Sequence, residues 1–183
     1  VHVSGVAAAE NVYSLEITPT SGVSSTTLYY VNDSSSAGDA YTYAPGDDTN
    51  DGLSPHAPKA SVQSVLTDYD LGPADLVLVD AGSYNAGAVT IETTDEGAAY
   101  AGAPAGSEFT YSGDRWDLVD ADHNMIYGMS FAGGGGVGVR IQDGVSDAST
   151  DNEIRGNNFP GTTTAIWIDQ GAGNLLLDNT ITG

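Results

Sequence analysis

The stretch Asn152-Glu-Ile154-Arg-Gly-Asn157-Asn-Phe159 returns 22 residues later as Asn174-Leu-Leu176-Leu-Asp-Asn179-Thr-Ile181, with Asn152 and Asn157 kept as amides and Ile154 and Phe159 as apolar residues. A period of about 20 to 25 residues, made of short apolar alternations without a helical pattern, is the length of one turn of a β-solenoid. An earlier copy, Asn124-Met-Ile126-Tyr-Gly-Met129-Ser-Phe131, starts 28 residues before Asn152, and the extra length falls in the polar stretch 143–151, which reads as a projecting loop. Between the copies lie second strands, Val137-Gly-Val139-Arg-Ile141 and Ala165-Ile166-Trp-Ile168. Stacking the copies in parallel puts Ile126, Ile154 and Leu176 in one interior file and Phe131, Phe159 and Ile181 in another, at the roughly 4.8 Å spacing of neighbouring strands. It also sets Asn152 against Asn174 and Asn157 against Asn179 at the corners. There the amide bonds the adjacent coil, and Asn tolerates left-handed geometry.

Upstream, Leu76-Val-Leu-Val79, Ala88-Val-Thr-Ile91, Phe109-Thr-Tyr111 and Trp116-Asp-Leu-Val119 read as further strands between Gly-rich turns, which carries the regular coils back to about residue 75. Residues 61–70 change period. Val62, Val65, Leu66 and Tyr69 recur at i, i+3, i+4 and i+7, and Gly72-Pro73 stops them, as expected for one short helix over about 60–70 that covers the open end of the core. Two more strand candidates, Tyr13-Ser-Leu15-Glu-Ile17 and Leu28-Tyr-Tyr-Val31, precede a long polar loop. The expected organisation is an N-terminal strand or arm over 1–27, serving this solenoid or a neighbouring subunit, and a β-helix domain over 28–183.

The order Leu28-Tyr-Tyr-Val31-Asn-Asp, the acidic turn Gly46-Asp-Asp-Thr-Asn-Asp-Gly52-Leu-Ser-Pro55, Pro58-Lys-Ala, the helix, then Leu71-Gly-Pro-Ala-Asp-Leu-Val-Leu-Val79-Asp-Ala-Gly-Ser-Tyr84 and the Asn-rich coils resembles the N-terminal part of pectate-lyase-like right-handed β-helix proteins, in particular large repeat-bearing surface proteins of environmental bacteria. The likeness covers residues 28–183. It implies an all-β, right-handed parallel β-helix with one short N-terminal capping helix. It implies no single activity, because that superfamily holds lyases, hydrolases, epimerases, adhesins and inert fibres.

Charge narrows the partners. With 25 acidic residues against 4 basic ones, the formal net charge of −21 excludes phosphate-dominated binding to nucleic acid, and it suits salty or calcium-containing water. Polyuronic acids would be repelled unless calcium bridged them, which leaves neutral or calcium-bridged glycans as candidate ligands. The absence of cysteine removes disulfides and thiol chemistry. No apolar run approaches the roughly 20 residues of a membrane helix, and residues 1–10 lack a basic segment followed by an apolar one, so the chain reads as a mature or excised product without membrane insertion. The Gly, Ser, Thr, Asn and Asp content resembles secreted all-β proteins, and an extracellular or cell-surface location is expected.

No complete lyase, hydrolase or epimerase motif is present. Arg115, Arg140 and Arg155 read as outward strand or turn residues, and Val139-Arg-Ile141-Gln lacks the lysine of an Arg-x-Lys motif. If the chain is an enzyme, Asp120, Asp122 and His123 are the candidates, as alternating carboxylates on one strand face beside a potential acid or base; the plainer reading is a solvated turn. Asp47, Asp48, Asn50 and Asp51, followed by Gly52, offer several oxygens in one turn, as a calcium loop does. Pro58 stands where an EF-hand loop has its final acid, and a solvated Asx-rich turn is the alternative. No cofactor is required on this reading, and calcium is the one entertained. Asn32-Asp-Ser34 fits the N-glycosylation sequon. Tyr29, Tyr30, Tyr41, Tyr43, Tyr111, Trp116 and Trp167 are available either for sugar stacking or for packing. Gly133 to Gly136 read as a solenoid corner, with no Lys-Ser/Thr after them to suggest a phosphate loop.

The chain reaches Ile181-Thr-Gly183 inside a coil. An uncovered coil invites a further strand, either from continuation of the chain or from the next subunit, with Tyr13, Leu15 and Ile17 as alternate anchors against Leu176 and Ile181. The expected function is therefore an extracellular structural solenoid, a subunit or segment of a surface fibre or layer that assembles head to tail. A carbohydrate-binding or carbohydrate-processing β-helix is the alternative.

Overall fold

The computed structural model describes residues 26–85, 87–110, 116–133, 136–144 and 148–183. The chain winds in coils. The first holds β1 (Thr27–Val31), a long loop and α1 (Val62–Asp68). The second holds β2 (Asp75–Val79), β3 (Gly82–Tyr84) and β4 (Val89–Ile91). The third holds β5 (Ala99–Gly102), β6 (Ser107–Thr110) and β7 (Trp116–Val119). The fourth holds β8 (Met125–Tyr127), β9 (Met129–Ala132) and β10 (Val137–Gln142). The fifth holds β11 (Glu153–Arg155), β12 (Asn158–Pro160) and β13 (Thr164–Ile168), and a last partial coil holds β14 (Leu175–Leu177) and β15 (Thr180–Thr182).

Three parallel sheets result: sheet A in the order β1-β2-β5-β8-β11-β14, sheet B β3-β6-β9-β12-β15 and sheet C β4-β7-β10-β13. The fold is thus an all-β parallel β-helix of four complete three-strand turns, as the repeat predicts. The expected files are present. Ile126 pairs with Ile154 and Ile154 with Leu176, while Phe109 pairs with Phe131 and Phe159 with Ile181. Sheet B carries an aromatic ladder in which the ring centroids of Tyr84–Phe109, Phe109–Phe131 and Phe131–Phe159 lie 5.1, 5.7 and 5.2 Å apart in stacked geometry. Trp116 of sheet C meets Phe109 and Phe131 edge-on across the interior. Stacked rings spaced by one coil specify the register of sheet B, because a one-residue slip would point every ring outward.

The corners are held by amides. Asn152 and Asn174 accept, at Oδ1, the backbone N–H groups of Asn124 and Asn152, each at 2.9 Å, while their Nδ2 atoms donate to the carbonyls of Ala121 and Ser149. Asn157 and Asn179 do the same for the N–H groups of Met129 and Asn157 and for the carbonyls of Ile126 and Ile154. Each corner Asn therefore closes the backbone of the coil before its own. The left-handed backbone expected at these amides lies one residue earlier, at His123, Asp151 and Gly173 in one corner and at Gly128, Gly156 and Asp178 in the other. That residue turns the chain, and the Asn after it is left with ordinary backbone geometry and its side chain aimed along the stack.

The helix expected over 60–70 forms over Val62–Asp68, with Ser61 Oγ capping the Ser64 N–H at 3.1 Å. Val62 and Val65 are fully buried in the core. The helix takes the place of a sheet C strand in the first coil. It packs beside β4, and Gln63 Oε1 accepts the Thr90 N–H at 2.8 Å, as a strand carbonyl would. The outer edge of β1 is closed as well: Tyr30 N–H donates to the Gly52 carbonyl at 2.7 Å, and Lys59 N–H to the Tyr30 carbonyl at 2.9 Å. The N-terminal end of the described stack is covered, and β1 belongs to sheet A, so the stack reaches back beyond residue 75 to Thr27.

Outward residues differ by sheet. On sheet B they are polar, running Ser83, Glu108, Ser130, Asn158 and Thr180 in register. On sheet C they run Thr90, Asp117, Arg140 and Trp167. Sheet A is different. One outward column passes through Leu28, Leu76, Ala99 and Met125 to Glu153 and Leu175, and the second through Tyr30, Leu78, Ala101 and Tyr127 to Arg155 and Leu177.

Two outcomes follow from this architecture. Phe131→Ala is expected to lose about 3–5 kcal/mol of stability in urea denaturation, whereas the outward neighbour Ser130→Ala stays within about 0.5 kcal/mol. The described cations Lys59, Arg140 and Arg155 each already pair with one acid, which leaves the acidic surplus to repel itself. The midpoint of thermal unfolding is therefore expected to rise as sodium chloride increases from about 0.01 M to 1 M, the range over which screening shortens from about 30 to 3 Å.

Candidate functional site

Asp120, Asp122 and His123 lie in the turn after β7, where Asp120 and His123 both take left-handed backbone angles, so the three do not share the strand face expected from their spacing. Asp120 is buried and its Oδ1 accepts the Gly144 N–H. Asp122 Oδ1 accepts the Thr150 N–H at 2.6 Å. Each carboxylate thus ties its turn to the chain one coil on. The His123 ring is largely exposed, 3.7 Å from Asp151 Oδ2.

The acidic turn is organised around an ammonium group. Lys59 is fully buried and its Nζ donates to the carbonyl of Asn50 at 2.7 Å, the carbonyl of Asp48 at 3.1 Å and Asp68 Oδ2 at 2.6 Å. The carboxylates of the turn face backbone donors. Asp48 accepts from the N–H groups of Ala60 and Ser61, Asp51 from Leu53, and Asp47 from the N–H and hydroxyl of Thr49, which hold its carboxyl below the usual range. Asn50 donates to the Pro58 carbonyl. Among the described residues no group of three or more His, Asp or Glu side chains is placed to hold a metal ion. A single lysine gives no sequence signal that it will be buried, and the convergence of two carbonyls on it is visible only in the fold.

Asn32 is fully buried. Its Nδ2, the atom an N-glycan would occupy, donates to the carbonyls of Ser35 and Ala44 and to Asp39 Oδ2. The neighbouring Asp80, also buried, accepts the N–H groups of Ala40, Tyr41 and Thr42 and the Thr42 hydroxyl, and so fastens the long loop to the second coil. Asp80 was not singled out by sequence reasoning. Its one signal is its place directly after a run of strand residues, at a corner.

Exposed apolar surface concentrates at the C-terminal end of the stack. Leu176 and Ile181 are 45% and 65% exposed, although Ile154 and Phe159, their register partners one coil earlier, are both at 0%. In sheet C, Ile168 is 40% exposed where its partner Ile141 is at 0%. These are interior ladder positions lacking only the coil that would cover them. The corner amides repeat the point. Asn174 and Asn179 serve the fifth coil, and the pattern assigns their own backbone N–H groups to acceptors in a further coil. Tyr13, Leu15 and Ile17, the expected anchors of an added strand, lie outside the described residues. No helix among the described residues is long and apolar enough to cross a membrane.

The buried ammonium yields a stability prediction. Lys59→Met leaves the Asp48 and Asn50 carbonyls without a donor and is expected to cost about 1–3 kcal/mol in urea denaturation, while Asp68→Asn, at a half-exposed carboxylate, costs less than about 1 kcal/mol.

Comparison of the chain with protein-family models, with curated proteins and with solved structures finds no match.

Proposed function

We propose that this chain is an extracellular structural β-solenoid, a subunit or segment of a surface fibre or layer, that assembles head to tail by strand addition at its last coil. The observation that carries the reading is the exposure of Leu176, Ile181 and Ile168 at ladder positions that are fully buried one coil earlier. The two ends are unlike. Among the described residues, the N-terminal end of the stack is closed by α1 and the 46–60 loop, and β13, β14 and β15 are the last strands of their sheets. An edge strand with apolar inward positions recruits another strand, because pairing satisfies its backbone and covers its side chains together.

The donor in this reading is the segment 11–17 of the next copy. Asn11-Val-Tyr13-Ser-Leu15-Glu-Ile17 begins with an amide two residues before an apolar residue, the spacing of Asn174 and Leu176. In the added strand Asn11 supplies the corner acceptor, and Tyr13, Leu15 and Ile17 supply the alternating anchors. Such a heterologous contact need not close into a ring and can propagate as a filament. The resemblance to pectate-lyase-like surface proteins agrees with this reading, as does the Gly-, Ser-, Thr-, Asn- and Asp-rich composition with an extracellular location. Catalysis is not part of the proposal. A lyase-like role needs carboxylates facing solvent together, and Asp120 is buried in its turn.

Electron microscopy of the full chain in molar salt is the test. Filaments one solenoid wide are expected, and Ile181→Asp, Leu176→Asp and Tyr13→Asp should each abolish them. A peptide of residues 11–17 added in excess should shorten them. Monodisperse particles of wild-type protein at all concentrations would sink the proposal.

A further inference from the structure

We infer that the outer face of sheet A is a self-association surface on which a second copy of this chain packs side by side, with a twofold axis parallel to the solenoid axis. The surface is distinct from the open end. The inference begins with the contrast among the three flanks: on a chain of net charge −21, sheets B and C turn mainly polar or charged residues outward, Trp167 on sheet C excepted, whereas the two outward columns of sheet A are apolar in every coil but one. The stripe runs the height of six strands, about 24 Å at the usual strand spacing. Met125, Tyr127 and Leu175 in it are among the most exposed large apolar residues of the molecule.

The exceptional coil identifies the occupant. Its outward residues are Glu153 in one column and Arg155 in the other, with Arg155 Nη1 3.3 Å from Glu153 Oε1. A twofold axis along the stack keeps each coil level with its counterpart and exchanges the two columns. Met125 then faces Tyr127 of the second copy, Leu175 faces Leu177, and Glu153 faces Arg155, twice over. A twofold along the strands would instead set Glu153 against Glu153 and Arg155 against Arg155 if it passed through this coil, and at any other height would set both against apolar residues of another coil. The face is therefore self-complementary in charge under the first symmetry and frustrated under the second. Its two outward columns carry one acid and one base, so two copies of so acidic a chain meet there without strong repulsion.

The interface is small by the standard of stable complexes, so the pair is a reversible one whose population grows with concentration. Both copies point the same way, which leaves their C-terminal ends level and free. Within filaments the same contact would repeat along the flank and gather them into sheets, since linked weak contacts act together.

The test uses the full chain carrying Ile181→Asp, which blocks end-to-end growth and keeps the two associations separate. Sedimentation velocity from low to high micromolar protein is expected to show a monomer–dimer equilibrium. Tyr127→Asp and Met125→Asp should each weaken it tenfold or more. Glu153→Arg and Arg155→Glu should each weaken self-association, and mixing the two single variants should restore a dimer to within about threefold of the starting protein, an outcome the intrachain pair of Glu153 and Arg155 would not produce. A monomer throughout the range, or failure of the mixture to restore the dimer, would overturn the inference. So would a dimer that appears only after removal of residues 1–25, because that segment would then be the occupant of the face.

Discussion

Every coil of this molecule is half finished without the next one. The inward side chains of a strand meet their neighbours across about 4.8 Å of stacking, so Ile154 is buried because Ile126 and Leu176 lie on either side of it, and Phe159 because Phe131 and Ile181 do. The backbone obeys the same rule, since a parallel strand satisfies one set of groups in the coil before and the other in the coil after. The corner amides extend the rule to the turns: each Asn closes the previous coil's N–H and carbonyl and leaves its own N–H for the following coil. Stability in such a stack is a chain of nearest-neighbour terms, and its two ends become the places where something else must happen.

The ends are solved differently. At the N-terminal end a seven-residue helix stands in for a strand of sheet C, with Gln63 acting as a carbonyl toward Thr90, and a loop built on Lys59 pairs with the free edge of β1. The ammonium there collects the carbonyls of Asp48 and Asn50, so that a turn rich in carboxylates folds about a cation from its own chain. Among the described residues nothing of the kind covers the last coil, and Leu176, Ile181 and Ile168 stand exposed there.

The stack itself was legible because period and alternation are one-dimensional properties. A 22-residue echo gave the register of sheets A and B in the last coils, and the helix over 62–68 followed from a change of period and a Gly-Pro stop. What escaped were features set by three-dimensional crowding. Strands β3 and β5 are Gly-Ser-Tyr and Ala-Tyr-Ala-Gly, too short and too small-sided to alternate visibly, yet they carry Tyr84 and Tyr100 into the core. The left-handed turn residue proved to precede each corner Asn. The burial of Lys59, Asn32 and Asp80 could not be read, because a polar side chain announces its burial only through the partners that the fold brings to it. Asp120, Asp122 and His123 look alike as a sequence cluster and differ widely in exposure once the turn bends between them.

The open C-terminal edge is the centre of this account, and amide hydrogen exchange reads it directly. In the end-blocked monomer the N–H groups of Asn174, Leu176, Asn179 and Ile181, which alternate with the Leu175 and Thr180 groups bonded to the fifth coil, should exchange far faster than those of β11 and β12. In filaments of the unmodified chain they should become as slow as those of β11 and β12. Equal protection of the last coil in the monomer, or an unchanged fast rate in the assembled state, would contradict the claim that this edge is where the molecule grows.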